Sequence, residues 1–387
     1  MKYNFDKTID RRKTNCYKWD VKENELPMWI ADMDFECAPE IRAALQKKLD
    51  HGIFGYDFIP DEWYSAYINW WKNRHGLEMK KDELIFATGV VPSISSMIRW
   101  LSHPAEKVVV LTPIYNIFFN SIKNNGRVPV EVDLIEKDGQ YEIDFEALET
   151  ALKNPNATLM ILCNPQNPSG RIWTKDELAQ IAELCKANGV TVISDEIHCD
   201  IAEPGFSYVP FASVSDTARE ISATCFSPSK AFNVAGLHSA AIFVPNRNLY
   251  HRVWRGLNTD ECAEPNSFAI DSAIAAYSEG GEWLDELNAY LAENKKIVRS
   301  CIKEELPQLS IIDGRSTYLI WIDCRKLPNA GSGFQKFLRD STGLFFSEGS
   351  IYGSHYDSFV RMNVACPKNA VLEGLNRLKQ GVLAFLD

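Results

Sequence analysis

Residues 158–195 read TLMILCNPQNPSGRIWTKDELAQIAELCKANGVTVISD, and this stretch decides the fold class. TLMILC (158–163) and VTVISD (190–195) are short runs with little polar alternation, as strands covered on both faces require. Between them, residues 175–188 read as a helix, with Thr174 placed to cap it. Strand, helix, strand in that order is the repeating unit of a parallel α/β sheet.

The pattern continues on both sides. ELIFAT (83–88), KVVVLT (107–112), VPVEVD (128–133), ISATCF (221–226) and SAAIFV (239–244) read as further strands, and residues 92–102 and 115–125 as helices. The expectation is a largely parallel sheet that takes ligands at the carboxyl ends of its strands. Towards the C terminus, helical stretches near 282–305 precede SIIDG (310–314), YLIWIDC (318–324) and FVRMNVACP (359–367), with helices at 331–341 and 368–386. That reads as a smaller α/β unit. An amphipathic helix at 38–50 follows an irregular start. A chain of 387 residues exceeds what one core usually organises, so the expected division is a large domain over 49–280 and a small one from 1–48 with 281–387.

Composition narrows the partners. A formal charge of −11 argues against a nucleic-acid ligand, because phosphate binders need basic surface to displace counterions. Lys2, Asp6, Lys7, Asp10, Arg11, Arg12, Lys13 and Lys18 leave no apolar signal core at the start, so a cytoplasmic protein is expected. No apolar run approaches the roughly 18 residues of a bilayer span. Ten scattered cysteines without a C-x-x-C pair point to reduced thiols, with neither a disulfide frame nor a structural metal.

Six local signals carry chemistry. In ISATCFSPSKAFNVAGLH (221–238), a strand breaks at Ser227-Pro-Ser229 and presents Lys230 beside two hydroxyls. A crowded lysine loses ammonium character, and only the neutral amine attacks a carbonyl; the alternative is a surface loop lysine. In VTVISDEIHCD (190–200), Asp195 ends a strand and His198 follows three residues later. A carboxylate there can pair with a protonated pyridine nitrogen, bind magnesium, or cap a helix. No Gly-Lys dipeptide occurs, which removes the nucleotide phosphate loop that a magnesium site would need.

Asn164-Pro165 and Asn167-Pro-Ser-Gly170 form a fixed loop that either aims an amide at a ligand or is an ordinary turn. In FATGVVPSISS (86–96), the Gly89 turn leaves the N–H groups of Val90 and Val91 free to hold a phosphate. Tyr115, just past a strand end, can stack on a planar cofactor or fill the core. Arg361, inside an apolar strand, needs an anionic partner, either a substrate α-carboxylate or an internal carboxylate.

In order and spacing these signals resemble the fold-type I enzymes of pyridoxal phosphate (PLP), the aspartate aminotransferase-like fold, across nearly the whole chain. LPMWIADMDF (26–35), HGIFGYD (51–57), TPIYNIFF (112–119), NPQNPSG (164–170), SDEIHCD (194–200) and SPSKAFNVAGL (227–237) resemble the MalY/PatB-type cystathionine β-lyases in particular. The resemblance implies that Lys230 binds PLP as an imine, Asp195 pairs with the pyridinium, Asn167 meets the phenolic oxygen and Tyr115 stacks on the ring. Lys230 and Tyr115 would be the catalytic pair, with His198, Ser227 and Ser229 also at the cofactor. Arg361, Asn167 and Ala31 would meet the substrate. Tyr56 would reach the phosphate of a neighbouring subunit, which implies a homodimer.

Many aminotransferases of this fold carry tyrosine and arginine where this chain has His198 and His238, and that departure favours the lyase branch. The implied reaction is α,β-elimination of cystathionine and related cysteine S-conjugates to thiol, pyruvate and ammonia. An aminotransferase would use nearly the same residues. A regulatory role, through binding of a transcription activator, is the reading from another class.

Overall fold

The computed structural model describes residues 2–331 and 333–386. Seven strands form the main sheet: β1 (Leu84–Ala87), β2 (Lys107–Thr112), β3 (Val128–Asp133), β4 (Ala157–Cys163), β5 (Thr191–Asp195), β6 (Ser222–Phe226) and β7 (Ala240–Phe243). Their order across the sheet is β1-β7-β6-β5-β4-β2-β3. β7 runs antiparallel to both neighbours, and the other pairs are parallel. A parallel return usually runs through a full crossover helix. The segment between β6 and β7 folds only one short α-helix, Pro228–Ala231, and one 3-10 turn, Ala235–Leu237, and it is there that Lys230 sits.

Both faces of the sheet are covered. Val109, Leu111, Met160, Leu162 and Val192 pack against Leu178, Ile181 and Cys185 of the helix Lys175–Ala187. Val108, Val110, Leu159, Ile161 and Ile193 pack against Ile94, Met97 and Ile98 of the helix Val90–Leu101 on the other side. Successive strand residues therefore all need apolar side chains, which is why the runs lack alternation. β3 is the exception: it lies at the sheet edge, partly exposed, where Pro129 costs no interior ladder bond. Thr174 caps as expected, its Oγ1 accepting from Glu177 N–H at 3.2 Å while Glu177 Oε2 accepts from Thr174 N–H at 2.7 Å.

The helix expected at 92–102 begins at Val90, with Gly89 as its cap residue, because Pro92 falls in the first turn where no backbone donor is needed. The one expected at 115–125 spans Ile117–Asn124. The helix expected at 331–341 spans Phe334–Thr342, and Ser332 lies outside the described residues. Helices Asp61–Trp70, Phe145–Leu152, Asp216–Ile221, Arg247–Thr259 and Ala269–Glu279 had no counterpart among the sequence expectations.

A second, antiparallel sheet contains β8 (Ser310–Ile312), β9 (Leu319–Asp323), β10 (Ser347–Glu348) and β11 (Phe359–Asn363) in the order β8-β9-β11-β10. The first residues of the chain lie against it. Leu26–Pro27 pairs in parallel with Leu344–Phe345, and Asn363 N–H donates to the Met28 carbonyl at 2.8 Å. This brings residues 29–31 beside Arg361 of β11. No helix among the described residues is long and apolar enough to cross a membrane.

Candidate active site

The carboxyl ends of β1, β2, β4, β5 and β6 open onto one cavity of about 400 Å³. Gly89, Val90, Val91, Tyr115, Asn167, Asp195, His198, Ser227, Ser229, Lys230, Arg361 and Ala31 all line it. Tyr56 stands away from it, fully exposed on the segment after the helix Pro39–His51, and of the 164–170 loop only Asn167 reaches it.

Lys230 is set in the short helix that Ser227 begins. Ser227 Oγ accepts from Ser229 N–H at 3.1 Å and donates to the Ser239 carbonyl at 2.7 Å, tying the turn to the start of β7. The Lys230 ammonium donates to the Ala31 carbonyl at 2.7 Å. Desolvation by the cavity wall pushes its pKa down to about 8, reinforced by Arg361 and opposed by Asp32 and Asp195. A large fraction is therefore a neutral amine in mildly alkaline solution, which a surface lysine would not be.

Asp195 closes β5. One oxygen accepts from Ile197 N–H at 3.1 Å, and burial raises the carboxyl to about 7 even though that bond and Lys230 favour the anion. His198 is buried, its Nδ1 has no hydrogen-bond partner, and burial with the nearby Lys230 and Arg361 charges lowers its pKa to about 3. It is a neutral imidazole. Burial raises the Tyr115 phenol to about 12, so it stays protonated over the working range.

Arg361 is buried at 4% exposure yet enters no ion pair among the described residues. Its Nη1 donates to Asn167 Oδ1 at 3.0 Å, its Nη2 to the Trp29 carbonyl at 2.8 Å, and its Nε has no partner. Of the two sequence-level alternatives, the internal carboxylate is absent among the described residues, which leaves a buried cation facing the cavity. An anion is what such a group lacks.

The Asn167 loop is braced from outside. Gly170 adopts φ +74°, and a Cβ there would run into the Ser316 carbonyl, whose own N–H donates to the Gly170 carbonyl at 2.9 Å. Gly170→Ala is therefore expected to destabilise the protein by about 2–4 kcal/mol, read as a lowered urea midpoint, combining left-handed strain with overpacking. A loss under about 0.5 kcal/mol would show that the loop adapts freely.

The donor set fits pyridoxal phosphate. A planar cationic ring answers the desolvated Asp195 carboxylate. The N–H groups of Val90 and Val91, which begin a twelve-residue helix without a side-chain cap, suit a phosphate together with the Ser229 hydroxyl. Lys230 supplies the amine for the aldehyde, and the unpartnered His198 Nδ1 offers a further polar contact.

The sequence reading did not single out Trp29, Tyr17, Ser347, His238 or Ser239 as site residues, although all line the same cavity. Tyr17 opens a short 3-10 turn and Ser347 a two-residue strand, neither with a motif of its own. His75, Cys199 and Asp200 also lie together, with ligand atoms within 4.8 Å. There, Asp200 Oδ1 already accepts from Trp70 Nε1 at 2.9 Å and meets His75 Nε2 at 2.8 Å, a buried hydrogen-bond cluster behind the site. All ten cysteines are free.

The aminotransferase class I and II family model matches residues 25–378. Cystathionine β-lyase PatB of Bacillus subtilis is 40% identical over 97% of this chain and 99% of its own length. Protein MalY of Escherichia coli is 34% identical over 99% of both. The PLP-containing crystal structure of cystalysin from Treponema denticola superimposes with a TM-score of 0.96 at 32% identity, covering 99% of this chain and 100% of that one. A sheet ordered this way, with a lysine, a buried aspartate and an unpaired arginine converging at its strand ends, together with these full-length likenesses, places the chain in the aminotransferase class I and II family.

Proposed function

We propose that the protein is a PLP-dependent carbon–sulfur β-lyase that converts cystathionine and related cysteine thioethers to a thiol, pyruvate and ammonia. The observation that carries it is the buried Arg361, without a carboxylate partner, sharing one cavity with the Lys230 amine. The choice of elimination over amino transfer rests on the likeness to PatB and cystalysin.

Each residue then has a task. Arg361, steadied by Asn167 and the Trp29 carbonyl, holds the substrate α-carboxylate in a two-pronged grip. Lys230, as a neutral amine, takes the proton from Cα. Asp195 would hold a cationic ring nitrogen in its charged form, and Tyr115 would offer its face to the ring. Pyridoxal phosphate, when bound, supplies the ring that takes up the electron pair left at Cα. The Cβ–S bond breaks with its electrons leaving on sulfur, the sulfur gains a proton, and the three-carbon remainder takes up water to give pyruvate and ammonia.

The same reading makes the chain a cytoplasmic homodimer acting in sulfur amino acid metabolism, with a large domain over 49–280 and a small one from 1–48 with 281–387. Ile53, Phe54, Tyr56 and Phe58 are all more than half exposed in one short segment, an apolar display that a second copy would cover while bringing Tyr56 to the neighbouring phosphate.

The deciding experiment is turnover of L-cystathionine by the purified holoenzyme without any added keto acid. Pyruvate and free thiol are expected in equal amounts. Turnover that starts only when a keto acid is supplied would make the protein an aminotransferase instead.

A further inference from the structure

Resting on the lyase reading, a second question is what group the sulfur carries. With the α-carboxylate at Arg361 and Cα beside Lys230, the open direction of the cavity is its rim. Tyr17, Trp29 and Ile351 stand there. Tyr17 is 70% exposed, an unusual position for a large aromatic residue, and it meets Trp29 edge-on at 5.2 Å.

The aromatic wall is rigidly held. Trp29 stacks on Phe345 at 5.0 Å and 17°, Arg339 lies over the Phe345 ring at 3.7 Å, and Arg339 is paired with buried Glu25 at 2.8 Å. Trp29 is also tied to the substrate grip itself. Its carbonyl accepts from Arg361 Nη2 at 2.8 Å and from Ser347 Oγ at 2.7 Å, and its indole N–H donates to the Lys18 carbonyl at 3.3 Å. The indole is therefore fixed relative to the carboxylate anchor.

Charge at the rim points the same way. Lys230 and Arg361 are the only lysine and arginine in the cavity wall among the described residues, and both have tasks at Cα. The segment 52–58, GIFGYDF, which the dimer reading brings across from a second copy, carries no cation. Beyond Tyr17 a second hollow is lined by three carboxylates, Asp10, Asp20 and Glu23, against two cations, Arg12 and Lys13. Arg12 is already committed to the carbonyls of Val21, Lys22 and Glu25. A distal carboxylate finds no free, desolvated cation here, whereas an apolar group finds an aromatic face.

We propose that Tyr17 and Trp29 form an S-substituent site that selects cysteine thioethers carrying an apolar group on sulfur over thioethers that end in a second amino-acid group. Water leaves the indole and phenol faces as the apolar group arrives, which favours it without any new polar contact.

The test compares kcat/KM for S-benzyl-L-cysteine and L-cystathionine on holoenzyme, in the wild type and in Tyr17→Ala, Tyr17→Phe and Trp29→Ala. The wild type should prefer the benzyl thioether by about 10-fold. Tyr17→Ala and Trp29→Ala should each cut that preference by about 3–10-fold, chiefly through KM for the benzyl substrate, and Tyr17→Phe should keep it. Equal or reversed preference in the wild type, or a preference untouched by Tyr17→Ala, would overturn the proposal. Because Tyr17 is exposed, its replacement tests the idea even if Trp29→Ala fails to fold. Should neither thioether give pyruvate, the lyase reading fails separately. The same preference is then read from the change in cofactor absorbance as each amino acid is titrated in, with the same two outcomes deciding.

Discussion

Lys230→Ala is expected to lower kcat for elimination by at least about 10³-fold, measured as pyruvate released per enzyme, because a positioned general base alone contributes 10²–10⁴-fold. Lys230→Arg should be equally inactive. A guanidinium keeps the positive charge but cannot shed its proton, so the pair of variants separates a need for charge from a need for a neutral amine. The wild-type environment is built for the neutral form, since burial brings the Lys230 pKa down to about 8. The protonated amine donates to the Ala31 carbonyl, and no carboxylate pairs with it directly among the described residues. Activity should therefore rise with pH through the region around 8 in single-turnover measurements limited by proton removal. Either variant retaining a tenth of wild-type turnover would assign the proton transfer to another group.

The sheet was legible because both its faces are covered. KVVVLT corresponds to β2 (Lys107–Thr112) residue for residue, since an apolar run that avoids alternation has few other places to go. Two of the helices that went unread lack such constraint. Asp61–Trp70 continues into a π turn at Trp71–His75, and its aromatic residues Trp63, Tyr67 and Trp70 suit a strand as well as a helix by composition. Ala269–Glu279 is apolar on nearly every side because it is enclosed between the helix Pro39–His51 and its other neighbours, and an all-round pattern has no period to detect. Helix starts slipped by two residues at Val90 and Ile117, where caps and proline, not periodicity, set the boundary.

The site was legible where a residue type contradicted its surroundings. A lysine after a strand, an aspartate ending one and an arginine inside one are each costly placements, and the structure brings all three to a single cavity. What stayed hidden acts through backbone or through long sequence separation. The Trp29 carbonyl that steadies Arg361 lies 332 positions away and leaves no side-chain signature. Ser347 reaches the same arginine's neighbourhood only because β10 pairs with β11, a register that no local pattern fixes. Tyr17 and Trp29 read as ordinary aromatics until the N-terminal segment is seen crossing the cavity rim.

Asp195→Asn should lower kcat by about 10²–10³-fold, the usual cost of removing one pre-placed electrostatic group from a reacting centre. The same variant should change the stability of the cofactor-free protein, for which the sign can be worked out. Burial raises the Asp195 carboxyl from 3.8 to about 7, so the folded chain holds this proton more tightly than the unfolded chain does. Its contribution to stability is fully present below pH 4 and is lost as pH rises to about 7, at most about 4 kcal/mol over that window. Asparagine has nothing to ionise and removes this penalty at high pH. Glu196, also raised to about 7 by burial and held by Tyr208, Ser194 and the Phe211 N–H, titrates in the same direction and remains in the variant. The fall in the urea midpoint between pH 5 and pH 8 should therefore be smaller in Asp195→Asn than in the wild type, without disappearing. At pH 8 the cofactor-free variant should be the more stable protein and the less active enzyme once loaded. A residue placed for packing alone would leave kcat near the wild-type value. An unchanged pH gap, or a kcat within threefold of wild type, would show that the buried carboxylate is not kept for a cationic ring.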